Sequence, residues 1–367
     1  MFAYVDLFYA FSERLLNTYD NAENRERLRR LQTVSDDLSL SIPILLLAYL
    51  TNQPFSTFPI SENTSTRNMN TMNTDQNLVQ SGRVTTEGDD LYYEVRGQGQ
   101  PFLMIPAAGG DGDYYAAVAD LLCDEYKVIT YDRRANARST MHAPQNFEIS
   151  QQSRDAVAVL HAVGETSAFV FGNSSGAVIA LDMAKTQPQA VRAVIVHEPP
   201  VPRVLPLPQA RKWQRRFASA YLTAFRFGSY VAATQFMLGV RIPMLKIAQA
   251  QRRSNEYTRS RREQSGEHRL SVKVGVEFLV KGELLPVTNY LPDVERIKHN
   301  GVKVFMAVGE WARSRKTWQL QVAHILAEQL GCELVTFPGH HGSYDDMPQE
   351  WAATLRRVLH QAEAFPK

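Results

Sequence analysis

The sequence predicts an α/β protein: a doubly wound, mostly parallel eight-stranded sheet carrying an inserted helical segment. Three observations lead there. From about Arg83 a hairpin signal is followed by short apolar runs that alternate with stretches of helical periodicity. One such unit, residues 168–187, passes from strand to helix through small residues, and residues 201–290 interrupt the alternation with aromatic, arginine-rich helical sequence. A hairpin followed by repeated strand–helix units is the pattern of a parallel sheet covered on both faces.

Residues 83–86 and 91–96 read as strands joined across Glu87-Gly88-Asp89-Asp90. Apolar runs at 102–105 and 127–131 are the next strands, separated by a helix containing Tyr115, Val118, Leu121 and Leu122. A helix from Ser150 turns Ala156, Val157, Val159, Leu160 and Val163 inward and stops at Gly164. Residues 168–171, 193–196, 302–308 and 334–337 supply four more strands, with later helices starting near Thr317 and Pro348.

The first eighty residues have another character. Residues 1–35 look helical, with Leu15, Leu16, Leu28 and Leu31 among many charges. The run 42–50 is broken by Pro43 and too short to span a bilayer, and it lies too deep, without a basic leader, for a secretory signal. Residues 61–81 form a Ser/Thr/Asn tract that cannot build a core and is expected to be a disordered linker. Residues 1–60 are then a partly helical appendage, or a stretch upstream of the true start. The core is expected over 82–200 and 291–367, with a helical lid over 201–290.

The chain of 367 residues has a formal net charge of +2, which points to neither nucleic acid nor a membrane surface. Cys123 and Cys332 are far apart and make no metal or redox spacing. No zinc, haem or iron–sulfur pattern occurs, and a cytoplasmic location is expected.

The chemistry concentrates in FVFGNSSGAV, residues 169–178. Gly-x-Ser-x-Gly fits in one register only: Gly172, Asn173, Ser174, Ser175, Gly176. A strand turning sharply into a helix forces its corner residue into a strained conformation and brings the residues two before and two after together, so both must be small. Ser174 is thus the candidate nucleophile. A serine nucleophile needs a base, and His341 in FPGHHGSY follows the last predicted strand, where the sheet edge delivers it to the same rim; His340 is the alternative.

From about 83 to 362 the chain resembles the α/β-hydrolase fold superfamily, through MIPAAGGDGDYY (104–115), YDRRANARS (131–139), FGNSSG (171–176), VHEPP (196–200) and FPGHHGSY (337–344). The resemblance implies a Ser–His–acid triad, with the oxyanion held by backbone amides of Ser175 and of Ala108 in the loop after the third strand. Ala107 and Ala108 stand where such loops often carry glycine; a positive φ at either would cost about 1 kcal/mol. Relatives place the acid after the seventh strand as Gly-x-Asp, or directly after the sixth. The seventh-strand stretch reads AVGEWARS, with Trp311 at the aspartate position and Glu310 one residue early; the sixth-strand position is Glu198, followed by Pro199 and Pro200. Both stay open, with Glu198 favoured because the prolines restrict its backbone.

The sequence therefore predicts a serine hydrolase that cleaves an ester or thioester of a small to medium apolar acid through an acyl-enzyme, without cofactor or metal. Two alternatives remain: a carbon–carbon or amide hydrolase with the same triad, and a non-catalytic ligand-binding protein on the same scaffold. In the lid, Phe217, Tyr221, Phe225, Phe227 and Tyr230 interleave with Arg211, Lys212, Arg215 and Arg216, and a second basic cluster runs through Arg252, Arg253, Arg259, Arg261 and Arg262. Solvated helix faces explain these charges; docking of an acyl carrier or coenzyme A is the sharper alternative.

Overall fold

The computed structural model describes residues 79–140, 142, 147–240, 242–265 and 267–364. The expected helix over 1–35 and apolar run over 42–50 lie outside them. Eight strands, β1 (Gln80–Thr86), β2 (Asp89–Arg96), β3 (Gln100–Ile105), β4 (Tyr126–Tyr131), β5 (Ala168–Asn173), β6 (Val191–His197), β7 (Lys303–Gly309) and β8 (Leu334–Phe337), form one sheet in the order β1-β2-β4-β3-β5-β6-β7-β8. The pairs β1–β2 and β2–β4 are antiparallel; the rest are parallel. This is the mostly parallel sheet the sequence predicts. Gln80 and Ser81, placed in the linker for their polarity, instead open β1 opposite Val95 and Glu94. An edge strand wetted on one face accommodates such residues.

Helices α1 (Ala116–Leu122), α2 (Ile149–Ala162) and α3 (Ser175–Thr186) connect the first strands. Between β6 and β7 the chain runs through α4 (Leu207–Phe227), α5 (Ser229–Val240), α6 (Met244–Ser265), α7 (Val272–Phe278), a π-helical turn (Leu279–Glu283) and α8 (Leu284–Thr288). Then come α9 (Val294–His299), α10 (Glu310–Arg315), α11 (Trp318–Leu330) and α12 (Pro348–Glu363). α10 was not expected: it begins directly after β7, ahead of the helix that Thr317 caps by accepting from the Leu320 amide. Among the described residues no helix is long and apolar enough to cross a membrane.

Two cores lie on opposite faces of the sheet, and the alternation along β5 shows how the strand feeds both. Ala168 and Val170 pack with α2, α3 and α11, whereas Phe169 and Phe171 face the other way, toward Phe337 and Trp351 between α1 and α12. The register then aligns the functional edge. Ile105 pairs with Gly172, Asn173 with His197, and His197 with Ala307, so the carboxyl ends of β3, β5, β6 and β7 meet on one rim. In open parallel sheets that rim is where ligands bind.

Candidate active site

Ser174 occupies the corner between β5 and α3 with φ 57° and ψ −120°, a conformation that L-residues rarely adopt. The surroundings explain how it is held. A Cβ at position 172 would overlap the carbonyl of Gly176, and one at 176 would overlap the carbonyls of Ile105 and Pro106. The Ser174 amide donates to the His197 carbonyl at 2.9 Å, and the Ser174 carbonyl accepts from the Ala177 amide at 3.0 Å. Ser175 opens α3 with its side chain buried. Its backbone N–H belongs to the first helical turn, which has no intrahelical acceptor and carries the positive end of the helix dipole.

Beside the corner, the chain leaving β3 reaches Ala107 and Ala108. The left-handed conformations of this loop fall on Gly109 (φ 90°) and Gly110 (φ 53°), so neither alanine incurs the cost considered from sequence. The turn is closed by the Gly110 amide donating to the Ala107 carbonyl at 2.9 Å.

His341 Nδ1 lies 2.5 Å from Glu198 Oε2, and Glu198 Oε1 accepts from the Gly309 amide at 2.9 Å. Glu198 is buried, and burial alone would raise its pKa. The hydrogen bond from His341, the charges of the two neighbouring histidines and the Gly309 amide outweigh this and hold it at about 2. An ionised carboxylate only accepts, so His341 Nδ1 carries a proton, the tautomer that in a neutral imidazole leaves the Nε2 lone pair free. Glu198 itself sits at φ 49°, a second strained residue on the rim. Glu310 is placed differently: it is exposed, and its Oε2 accepts from the Gly339 amide at 3.2 Å, capping the loop that carries His341. His340 turns inward, with its amide on Ser343 Oγ at 2.9 Å and its Nδ1 accepting from the Gly342 amide at 3.2 Å. It fastens the loop that presents His341.

Two residues at the site, His197 and Asn173, lie inside the VHEPP and FGNSSG segments but receive no role from the sequence. His197, fully buried beneath His341 with ring centroids 6.2 Å apart, has its pKa lowered to about 4 by burial. Its Nδ1 is 2.7 Å from Asn173 Oδ1, while Asn173 Nδ2 donates to the His341 carbonyl at 3.1 Å. Asn173 thus ties the strand before Ser174 to the loop bearing His341. Among the described residues, His197, Glu198 and His341 are the one group of three metal-type donors within reach of each other, all within 4.8 Å. Both Nδ1 atoms in it are already committed to Asn173 and Glu198.

The YDRR segment braces the rim. Asp132 accepts from the amides of Gly112 and Arg138 at 2.8 and 2.9 Å, which fixes the turn after β4. Burial raises its pKa to about 6, against the pull of the Arg138 guanidinium. Arg138 also reaches Glu94 and Asp113, and Asp113 in turn accepts from Arg262 and Arg269 of the insert at 2.8 and 3.0 Å. Arg262 therefore anchors the insert to the core. Arg211, Lys212 and Arg215 on α4 are exposed.

A family profile described as alpha/beta hydrolase fold matches residues 100–239. The uncharacterized hydrolase YraK of Bacillus subtilis is 28% identical over 291 residues, covering 77% of this chain and 96% of that protein. Among solved structures, a thermophilic esterase from Thermogutta terrifontis superposes with a TM-score of 0.58 at 18% identity, covering 77% of this chain and 99% of the other. The enol-lactonase from Burkholderia xenovorans does so with a TM-score of 0.55 at 16% identity over 76% and 100% of the two chains.

Proposed function

The chain is a hydrolase of the α/β-hydrolase fold superfamily, and from that premise we propose that it cleaves an ester or thioester of a small to medium apolar acid through a Ser174 acyl-enzyme. The observation that carries this reading is the short bond from His341 to the buried, ionised Glu198 on the same rim as the strained Ser174 corner. His341 Nε2 takes the Ser174 proton as Oγ attacks the substrate carbonyl, and Glu198 stabilises the imidazolium that forms. The amides of Ser175 and Ala108 receive the oxyanion. The proton on Nε2 then goes to the departing alkoxide or thiolate, and a water deprotonated by the same nitrogen releases the acid. Glu310 is not part of this relay in our reading, because its carboxylate is engaged with the Gly339 amide.

The exposed Arg211, Lys212 and Arg215 on α4 fit the solvated helix faces expected from sequence; docking of a coenzyme A or acyl-carrier phosphate on the same cations is the thioester form of the proposal. We also propose a cytoplasmic location.

A fluorophosphonate probe followed by peptide mapping tests the reading. Labelling confined to Ser174, with turnover of p-nitrophenyl esters that varies with acyl length, is the expected result. A folded protein that is neither labelled nor active would leave a ligand-binding scaffold instead. Labelling with turnover of amides or vinylogous diketones but not esters would move the reaction class.

A further inference from the structure

We propose that Glu283, on the helical insert, is a positioning residue that aims the Ala108 oxyanion amide by way of Arg133, so that docking of the insert completes the site. This rests on the serine-hydrolase reading and deepens it.

Arg133 lies just beyond β4 and is wholly excluded from solvent. Its Nη2 donates to the Ala107 carbonyl at 2.8 Å and to Glu283 Oε1 at 2.7 Å, while its backbone amide donates to the Gly110 carbonyl at 2.7 Å. The Ala107 oxygen belongs to the same peptide unit as the Ala108 N–H. In a planar trans peptide the two point in opposite directions, so gripping the oxygen on one side fixes the direction of the N–H on the other. A cation on that oxygen also polarises the amide and strengthens its N–H as a donor. Arg133 is thereby placed to set both the aim and the strength of the amide assigned to the oxyanion.

Glu283 supplies the other half. A guanidinium sealed from water needs a counter-charge, and Glu283, itself buried, brings one from 150 residues away in sequence. It is the last residue of the π-helical turn, a distortion that recurs at functional sites. The same turn touches the loop a second time. Leu279 and Val280 join Ala224, Ala232 and Ala233 in a small apolar cluster against which Ala108 packs. The insert thus meets Ala108 through its side chain and, by way of Arg133, through its peptide.

The rival is an ion pair that merely holds the insert down. The two separate in the full-length chain carrying Glu283→Gln, Arg133→Met or both, read by kcat and KM on a p-nitrophenyl ester, by melting temperature, and by the Ala108 amide resonance in protein labelled with 15N-alanine. Loss of an oxyanion donor costs about 100- to 1000-fold in kcat, so misdirecting one should cost about 10- to 100-fold with KM within about twofold. The double variant should be no worse than Arg133→Met alone, and the Ala108 resonance should move in every variant. Wild-type kcat with an unmoved Ala108 resonance in Glu283→Gln would overturn the proposal, as would single losses that multiply in the double. Should Glu283→Gln not fold, Glu283→Asp keeps the charge with a shorter reach: reduced kcat at a native melting temperature supports the coupling, and wild-type kcat overturns it. Absence of fluorophosphonate labelling in the wild type would instead sink the serine-hydrolase reading, and the Ala108 resonance alone would then judge the coupling.

Discussion

Glu198 and His341 are 143 residues apart in sequence and 2.5 Å apart in space, with the carboxylate buried and the imidazole at the rim. Glu198→Gln replaces an acceptor-only group with an amide that can neither stabilise an imidazolium nor select one tautomer. We expect kcat to fall by about three to four orders of magnitude, whereas Glu310→Gln costs at most about tenfold, or about 1.4 kcal/mol of barrier. Steady-state kinetics on proteins of equal melting temperature decide it; the reverse order would move the acid to Glu310.

Ser174→Ala should remove turnover and fluorophosphonate labelling together. Ser175→Ala should retain most of both, because our reading uses only the Ser175 backbone amide. An inactive Ser175→Ala beside an active Ser174→Ala, both folded, would reverse the two roles.

Acid should weaken the contributions of His197 and Glu198 to stability in two successive windows. His197 titrates near 6.5 when exposed and near 4 when buried, and Glu198 near 4.5 when exposed and near 2 in the fold. At these two groups the unfolded chain binds more protons than the native one, so their contribution to stability falls as pH drops from 6.5 to 4 and again from 4.5 to 2, while buried Asp132, raised from 3.8 to about 6, contributes in the opposite sense between those two values. Between pH 6.5 and 4 the melting temperature of His197→Leu should fall less with acid than that of the wild type, the difference being the His197 contribution. Equal slopes in the two proteins would count against the buried neutral histidine.

Ala135 and Ala137 adopt φ of 65° and 45°, the left-handed region where a Cβ costs about 1–2 kcal/mol. At Ala137, which is half-buried, a glycine should raise stability by about 1 kcal/mol. At fully buried Ala135 the lost methyl forfeits about 0.8 kcal/mol, so Ala135→Gly should come out near neutral. Urea midpoints would show it: equal gains at both sites contradict the burial argument, and no gain at Ala137 contradicts the backbone one.

These sites also show what a sequence can and cannot disclose. The Ser174 corner is legible because its geometry excludes side chains at two fixed positions, and Gly172 and Gly176 record that exclusion. The sheet is legible from alternation such as that of β5. His340 and His341 are not separable in sequence, since neighbours in a loop differ only in which way the backbone turns them. Glu198 was hard to choose because nothing in VHEPP announces a glutamate at positive φ, while Gly309 invites a search for the acid after β7. In the structure that glycine lends its amide to Glu198. Left-handed alanines give no turn signal, which hides the conformation of the 135–137 loop. The pairing of Arg133 with Glu283 depends on how the insert folds back, information that no local pattern carries.

Pro199 and Pro200 directly follow Glu198, and the insert begins a few residues later. One exit from the sheet therefore serves both Glu198 and the inserted helices. Grafting a foreign insert to change specificity should succeed only if the junction lies beyond Pro200, because a cut at the strand end would take the carboxylate's backbone support with it. The stretch after β7 is restricted differently: Glu310 and the Trp311 amide both hold Gly339 at the start of the loop bearing His341, so recombination there should spare these two residues and begin beyond Trp311.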